Sequence, residues 1–311
     1  MIIGIDTSCY TTSLAVFDLA GRLLCEKRRL LPVAEGECGL RQSEALFCHV
    51  RQLPELMEEL TAEAGPLSTK AVSVSMRPRP QEGSYMPVFL AGAGLARSLA
   101  AAWGAPLYET SHQEGHIAAA LWSAGLSWQE PFLALHLSGG TGEILYVTPQ
   151  AAGYEIETVG DTDLPPGQFV DRVGVALGLP FPAGPHLERL AEEATDLSFR
   201  LSGSVQGTHI SFSGPESAAQ RAIKAGTEPA SVAAAVLDNI AKSLGKAIEA
   251  ARFQTGCGKV LLAGGVAANQ RIRDKLAPMK VDFAAPKYAG DNACGVALIG
   301  LAAWTGEADH G

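Results

Sequence analysis

Short apolar segments alternate with small polar turns at the start of the chain. Residues 2–6 and 14–18 are apolar runs that predict two buried strands, and residues 22–29 predict a third. The turn between the first two strands, residues 6–13, is small and rich in hydroxyl groups. Such a turn can hold a phosphate through N–H and O–H groups, although an ordinary hairpin is the simpler explanation of this segment alone.

The same layout recurs in the middle of the chain. Residues 132–137 predict a strand, residues 138–142 form a small Gly-rich turn, and residues 143–147 predict the next strand. A Gly-rich turn can approach a phosphate closely because no Cβ intervenes. The repetition predicts an internal duplication, and therefore two related α/β domains around a cleft.

Helical spacing of apolar residues marks two long helices. Leucines and valines recur at this spacing over residues 46–60, where Pro54 is expected to kink or divide the helix. The clearest helix covers residues 229–253, with an apolar stripe that we interpret as core. Its members are Val232, Val236, Ile240, Leu244 and Ile248.

A strand that leads into a glycine pair and then a helix occurs near the C-terminus. Residues 259–263 predict a buried strand, Gly264 and Gly265 form the turn, and a helix is expected over residues 271–276. This order is a common way to contact nucleotides in α/β folds. Asn269, at the end of the turn, has an amide that can hydrogen-bond a purine or ribose edge.

Composition adds three constraints. A chain of 311 residues with 47% hydrophobic and 18% charged residues indicates a globular protein of two domains. The formal net charge of −9 argues against autonomous high-affinity nucleic-acid binding, but not against a nucleic-acid substrate presented by a partner. The six cysteines form no Cys-x-x-Cys pair, and no signal peptide or membrane span is evident, so we expect a reducing, cytoplasmic setting.

Two histidines four residues apart, His112 and His116, are followed by good helix formers. On a helix they lie on one face, where two imidazoles can bind one transition metal. Gln113 stands where the metalloprotease motif has a glutamate. Two surface histidines are the simpler alternative, yet the chain has only 7 histidines, which favours the ligand interpretation.

Asp291 precedes the apolar run of residues 293–304. Its position is typical of a helix N-cap, and a metal-binding carboxylate is the alternative.

These features occur in the order found in a known family. The motifs are His112-x-x-Gly115-His116 with Glu114, residues 137–140, Gly167-x-x-x-Asp171, residues 177–179 with Pro182 and Gly184, residues 211–214, residues 263–266 with Asn269, and Asp291-Asn292. Together they resemble the tRNA threonylcarbamoyladenosine synthase family, TsaD, formerly known as glycoprotease or O-sialoglycoprotein endopeptidase. The resemblance covers nearly the whole chain.

The resemblance implies the fold of actin, sugar kinases and chaperone ATPases, with two duplicated α/β domains and a nucleotide cleft. We expect a first domain over residues 1–110, completed by the C-terminal helix 293–311, and a second over residues 111–292. The implied activity is transfer of a threonylcarbamoyl group from its adenylate to N6 of the adenosine beside the tRNA anticodon. Partner proteins that supply basic surface are expected.

The resemblance also implies ligands for particular residues. His112, His116 and Asp291 match the metal ligands of the family, for one divalent ion such as iron or zinc. Contacts to an adenine nucleotide or adenylate are expected from His136, Leu137, Ser138, Gly139, Gly140, Asp171, Gly184 and Asn269. His136 lies in the strand of residues 132–137, two residues before the Gly-rich turn, where some relatives carry a tyrosine that looks like a metal ligand. A core histidine with a hydrogen-bond partner is the simpler alternative, but we predict that His136 reaches the metal, or a water bound to it, as a fourth ligand.

The first turn departs from the family. Members carry Glu-Thr-Ser-Cys-Asp-Glu-Thr, whereas Tyr10 and Thr11 replace the acidic pair in this chain; Thr141 and Gln168 are further departures. Loss of two carboxylates removes candidate bases from the acceptor side. Two alternatives therefore stand beside tRNA modification: a metal-dependent carbamoyltransferase with a small-molecule acceptor, and a nucleotide-binding paralogue without catalysis.

Overall fold

The structure is a computed structural model that describes residues 1–8, 10–32 and 40–310, with the side chains of residues 308–310 not described. Cys9 of the first turn and Cys38 lie outside the described residues. The other four cysteines, Cys25, Cys48, Cys257 and Cys294, are free thiols. None of the described helices combines the length and apolar character needed to cross a bilayer.

The chain divides into two compact units. The first contains residues 1–127, 149–155 and 291–311, and the second contains residues 128–148 and 156–290. The domains drawn from the sequence, 1–110 and 111–292, differ from these units, because the units keep residues 111–127 and Asp291 with the first. The reason is local packing, since the helix that follows residue 111 lies against the C-terminal helix.

The first unit is built on a five-stranded sheet in the order β3-β2-β1-β4-β5. β1 is antiparallel to β2 and parallel to β4, β2 is antiparallel to β3, and β4 is parallel to β5. The strands are β1 (Ile2–Asp6), β2 (Thr11–Phe17), β3 (Leu23–Leu30), β4 (Ala71–Arg77) and β5 (Leu107–Ser111).

Four helices accompany this sheet: α1 (Gln42–Ala64), α2 (Phe89–Trp103), α3 (His112–Ser123) and the C-terminal α9 (Cys294–His310). Pro54 lies inside α1 and does not divide it into two helices. α1 packs on β2 and β3, α2 on β4, and α9 on β1, β2 and β4. Every residue of β1 and β2 is buried, as expected for strands inside a sheet that helices cover.

The second unit repeats the arrangement with the order β12-β11-β6-β7-β8. β6 is antiparallel to β7 and parallel to β11, which is parallel to β12. When the strands of each five-stranded sheet are numbered in chain order, both sheets have the order 3-2-1-4-5, with the second sheet taken from β8 to β12. The strands are β6 (Phe132–Leu137), β7 (Gly142–Pro149), β8 (Tyr154–Asp161), β11 (Val260–Ala263) and β12 (Asp282–Phe283).

Most of the remaining elements of the second unit pack against the long helix α7 (Pro229–Thr255). All five residues of its predicted apolar stripe are fully buried in the unit's core, which confirms that interpretation. The others are α4 (Pro166–Ala176), α5 (Gly184–Glu192), α6 (Ser213–Lys224), α8 (Gln270–Leu276), the hairpin β9 (Ser204–Gln206) and β10 (His209–Ser211), and three short 3₁₀ helices.

Candidate functional site

The N-terminal end of α3 carries the predicted histidine pair. Ser111 caps the helix by accepting a hydrogen bond from the Glu114 N–H, and Glu114 in turn accepts one from the Ser111 N–H. This reciprocal capping box fixes where the helix begins. His112 is therefore the first helical residue, and His116 follows one turn later on the same face, as the spacing predicted.

Close packing of two helices brings the third member of the cluster to the histidines. A Cβ on Gly295 of α9 would lie 1.8 Å from the Gly115 carbonyl oxygen of α3, so only glycine permits this approach. Ser13 of β2 holds the start of α9 by accepting a hydrogen bond from the Ala293 N–H at 2.8 Å. Asp291, three residues before α9, is thereby placed beside His112 and His116.

The Asp291 carboxylate contacts both imidazoles and is not used as a helix N-cap. Its Oδ1 lies 3.4 Å from His112 Nε2 and 3.2 Å from His116 Nε2. It is the neighbouring Asn292 whose side chain accepts a hydrogen bond from the Cys294 N–H. The carboxylate alternative, rather than the capping one, agrees with this geometry.

These three side chains form a triangle of potential ligand atoms. The two Nε2 atoms lie 2.9 Å apart, which completes sides of 2.9, 3.2 and 3.4 Å. A metal about 2.0–2.2 Å from each ligand requires ligand atoms about 2.8–3.6 Å apart at angles between tetrahedral and right-angled. The three residues therefore fit one transition-metal ion, and they form the His/Asp group of the described chain that could hold one.

Asp6, which the sequence did not mark as a site residue, lies behind His112. This fully buried carboxylate at the end of β1 has its Oδ2 3.3 Å from His112 Nδ1 and accepts hydrogen bonds from Ser8 and Ser75. A carboxylate on the far nitrogen of a ligating imidazole fixes the ring and its tautomer. The only signal in the sequence was an aspartate at the end of a strand that is otherwise apolar.

Within the cluster, the carboxylates favour the protonated form of His112, and the histidines favour the ionised form of Asp291. Burial opposes protonation of His112, but Asp6 and Asp291 outweigh it and raise the pKa of His112 well above its ordinary value. Burial also opposes ionisation of Asp291, yet hydrogen bonds from His112 and His116 lower the pKa of Asp291 strongly. Without a metal, a proton can therefore occupy the place of the cation, as is usual where imidazole and carboxylate converge.

His136 belongs to the second unit. It lies in β6, half-buried, and is paired in register with Glu143 on β7 and Ala263 on β11. Its contact with a metal remains a prediction.

The second unit contains a cavity of about 350 Å³ lined by half of the predicted nucleotide contacts. Gly139, Asp171, Gly184 and Asn269 all line it. The other residues that line the cavity were not predicted as nucleotide contacts, and most of them are small or apolar. They are Gly167, Val170, Pro182, Pro185, Glu188, Leu237, Gly265, Val266, Ala268 and Ile272. An apolar pocket with a few polar groups is typical of small-molecule sites.

Two glycines let the loops around this cavity meet. A Cβ on Gly167 of α4 would lie 2.7 Å from the Gly139 nitrogen and the Ser138 carbonyl. Gly264 has a φ of 95°, and a Cβ there would lie 2.3 Å from the Leu137 carbonyl oxygen. The start of α4 is therefore in direct contact with the Gly-rich turn, and the turn after β11 is in direct contact with the last residue of β6.

The Gly-rich turn is closed by hydrogen bonds to the hydroxyl group of Ser138. Ser138 Oγ accepts hydrogen bonds from the Gly140 and Thr141 N–H groups. Leu137 is buried in the core of the unit, so a ligand could meet only its backbone, whereas Gly139 and Gly140 are exposed.

Asp171 and Asn269 are both partly committed to the fold. Asp171 Oδ1 accepts a hydrogen bond from the Ala183 N–H at 2.7 Å, and burial raises the pKa of Asp171 despite that bond. Asn269 Oδ1 caps α8 by accepting from the Ile272 N–H at 3.0 Å. The Asn269 amide nitrogen donates to no described residue, so a ligand contact by this side chain would use its N–H groups.

The paired sheets define a class of fold. HypF from T. kodakarensis aligns with a TM-score of 0.62 at 16% identity, covering 99% of this chain and 48% of that one. The component A of (R)-2-hydroxyglutaryl-CoA dehydratase from Acidaminococcus fermentans aligns with a TM-score of 0.58 at 15% identity, covering 98% of each chain. The chain therefore has the two-sheet α/β fold of the actin, sugar-kinase and chaperone-ATPase class, as predicted.

Within that class the family is also defined. A sequence model of TsaD, tRNA N6-adenosine threonylcarbamoyltransferase, matches residues 39–298. Proteins named tRNA N6-adenosine threonylcarbamoyltransferase are 32% identical in Methanopyrus kandleri, over 96% of this chain and 86% of theirs, and 34% identical in Thermus thermophilus, over 97% and 92%. The chain belongs to the TsaD family of transferases, which confirms the predicted resemblance.

Proposed function

We propose that this protein transfers a threonylcarbamoyl group from threonylcarbamoyl-adenylate to N6 of the adenosine beside the tRNA anticodon, with one divalent iron or zinc ion as cofactor. The triangle of His112, His116 and Asp291 is the observation that carries the proposal, because it supplies a metal site in a chain of this family. In the reaction, N6 bonds to the carbamoyl carbon, the bond from that carbon to the adenylate oxygen breaks, and AMP and one proton leave.

The metal would be held by His112, His116 and Asp291, with Asp6 orienting His112. A bound ion with open positions supplies Lewis-acid chemistry, polarising a carbonyl or binding a phosphate. Two histidines and one carboxylate leave such positions open.

The cavity of the second unit is the proposed adenylate site. Its apolar lining suits a purine ring, the Asp171 carboxylate suits ribose hydroxyls, and the Gly139 backbone permits close approach of a phosphate. Two members of the proposed set, Asp171 and Asn269, make hydrogen bonds to the protein that also fix their own positions.

A second candidate function differs from the first in the acceptor of the transferred group. Tyr10 is exposed and Thr11 is buried in β2, at the positions where the family carries two acidic residues. This difference favours transfer of a carbamoyl group to a small-molecule acceptor, catalysed by the same metal and nucleotide sites. A chain of net charge −9 would otherwise depend on basic partner proteins to hold tRNA.

Complementation separates the two functions. The gene is expressed in a strain depleted of its threonylcarbamoyladenosine synthase, and modified adenosine in bulk tRNA is measured by mass spectrometry. Restored modification by the unaltered chain, and none with His112→Ala, supports the tRNA function. No modification, together with a carbamoylated small molecule in the same cells, would support the alternative instead.

A further inference from the structure

The last residue of β4, Arg77, has no partner for its charge among the described residues. Its Nε is buried without a hydrogen bond, and the guanidinium makes no ion pair with a described residue. The side chain as a whole is half-buried at the end of a strand whose first five residues are fully buried. Because an unsatisfied buried donor is costly and a charged one more so, an anion bound here would stabilise the guanidinium.

The backbone carries Arg77 past the predicted metal ligands. In the β4–β5 pairing, Ser75 is opposite Thr110 and Arg77 is opposite Ser111, with Met76 displaced as a bulge. The Pro78 carbonyl then accepts a hydrogen bond from the Gln113 N–H at 3.0 Å. Arg77 and Pro78 therefore run alongside the segment that contains His112, and bulges of this kind commonly redirect a side chain next to a site.

The neighbouring carboxylates do not supply the missing anion. Asp6 is engaged by Ser8, Ser75 and His112. Asp291 is engaged by His112 and His116, and Glu114 by Thr110, Ser111 and the Tyr154 N–H. The acidic groups around the cluster thus have partners of their own.

We propose that Arg77 is a substrate-binding residue that holds an oxyanion, a carboxylate or a phosphate, beside the His112–His116–Asp291 cluster. Guanidinium binds both groups through two parallel N–H···O bonds. The identity of the ligand rests on the proposed function, whose acyl donor carries a threonyl carboxylate and an adenylate phosphate. The anion site itself rests on the geometry of the first unit alone.

Calorimetry on the metal-loaded full-length protein tests this with two probes, N-carbamoyl-L-threonine for the carboxylate and inorganic phosphate for the phosphate. Arg77→Met should weaken binding of at least one probe by about tenfold or more, and Arg77→Lys by less, because lysine keeps the charge but loses the paired N–H groups. Arg79→Met is the control, since Arg79 is exposed two residues away. The probe that loses affinity identifies the class of anion.

Equal binding of both probes to Arg77→Met and to the unaltered protein, or no binding to the unaltered protein, would overturn the proposal. These outcomes are independent of tRNA modification, so they are distinguishable from failure of the proposed function. Thermal unfolding without ligand gives a second readout. Arg77→Met should keep or raise the Tm, because it removes an uncompensated charge, whereas a clear fall in the Tm would assign Arg77 a structural role.

Discussion

The two units share one sheet order but carry different chemistry at equivalent turns. In the first unit, the end of β1 contributes a buried carboxylate, Asp6, and the cluster beside it consists of His112, His116 and Asp291. In the second unit, the turn after β6 is Ser-Gly-Gly, and the cavity beside it is lined mostly by small and apolar residues, with Asp171, Glu188 and Asn269 as its polar side chains. The same sheet order therefore presents mainly titratable side chains in one unit and mainly small and apolar residues in the other.

The largest expected effect comes from disrupting the helix contact that builds the first site. Gly295→Ala places a Cβ against the Gly115 backbone, so we expect a loss of about 3 kcal/mol or more in the free energy of unfolding. Denaturant unfolding measures it. Gly306→Ala in the same helix is the control, because no atom lies within 4 Å of its Cβ, and it should be neutral or slightly stabilising. Equal stability of the two variants would refute the close packing.

Removal of one imidazole should abolish tight metal binding in the first unit. We expect His112→Ala to lower metal affinity about 100-fold or more, since two ligands remain of three. Competition with a chelator measures the affinity. His209→Ala is a suitable control because that ring is exposed and pairs with the exposed Asp161. Unchanged affinity in the His112 variant would place the metal elsewhere.

Asp6→Asn tests whether the Asp6 carboxylate supports metal binding through His112. Asparagine keeps the shape but loses the charge that faces His112 Nδ1, so metal affinity should fall about 10- to 100-fold. The free energy of unfolding of the metal-free protein is measured in parallel. A loss of stability with no change in metal affinity would assign Asp6 to the fold alone.

We expect the smallest effect for the pH dependence of AMP binding in the second unit. Because burial raises the pKa of Asp171, this carboxyl protonates at a higher pH than an ordinary aspartate and then loses acceptor capacity for ribose hydroxyls. AMP affinity should therefore fall about 3- to 10-fold as the pH drops from neutrality through that raised pKa. In Asp171→Asn, calorimetry should find weaker binding that no longer depends on pH in this range. A pH dependence that persists in the variant would have another source.

Much of this arrangement could be predicted from the sequence, because the strongest signals were local. The i,i+4 spacing placed both histidines on one helix face, and the apolar stripe of α7 correctly predicted which of its residues are buried in the core. Asp6 and Arg77 could not be found in this way. Asp6 reaches the cluster because β1 pairs with β4, whose Ser75 donates a hydrogen bond to the Asp6 carboxylate. Arg77 reaches it because a bulge in the β4–β5 pairing sets Arg77 opposite Ser111. Periodicity along the chain does not report such pairings. The same limitation left Asp291 open between a cap and a ligand.

Metal stoichiometry decides whether His112, His116 and Asp291 bind an ion. The purified protein is loaded with iron under reducing conditions or with zinc, desalted, and analysed for metal per chain. We expect one ion per chain in the unaltered protein, none in Asp291→Ala, and one in Asn269→Ala, whose substitution lies in the second unit. An unaltered protein that retains no metal, or an Asp291→Ala variant that retains a full equivalent, would contradict this expectation.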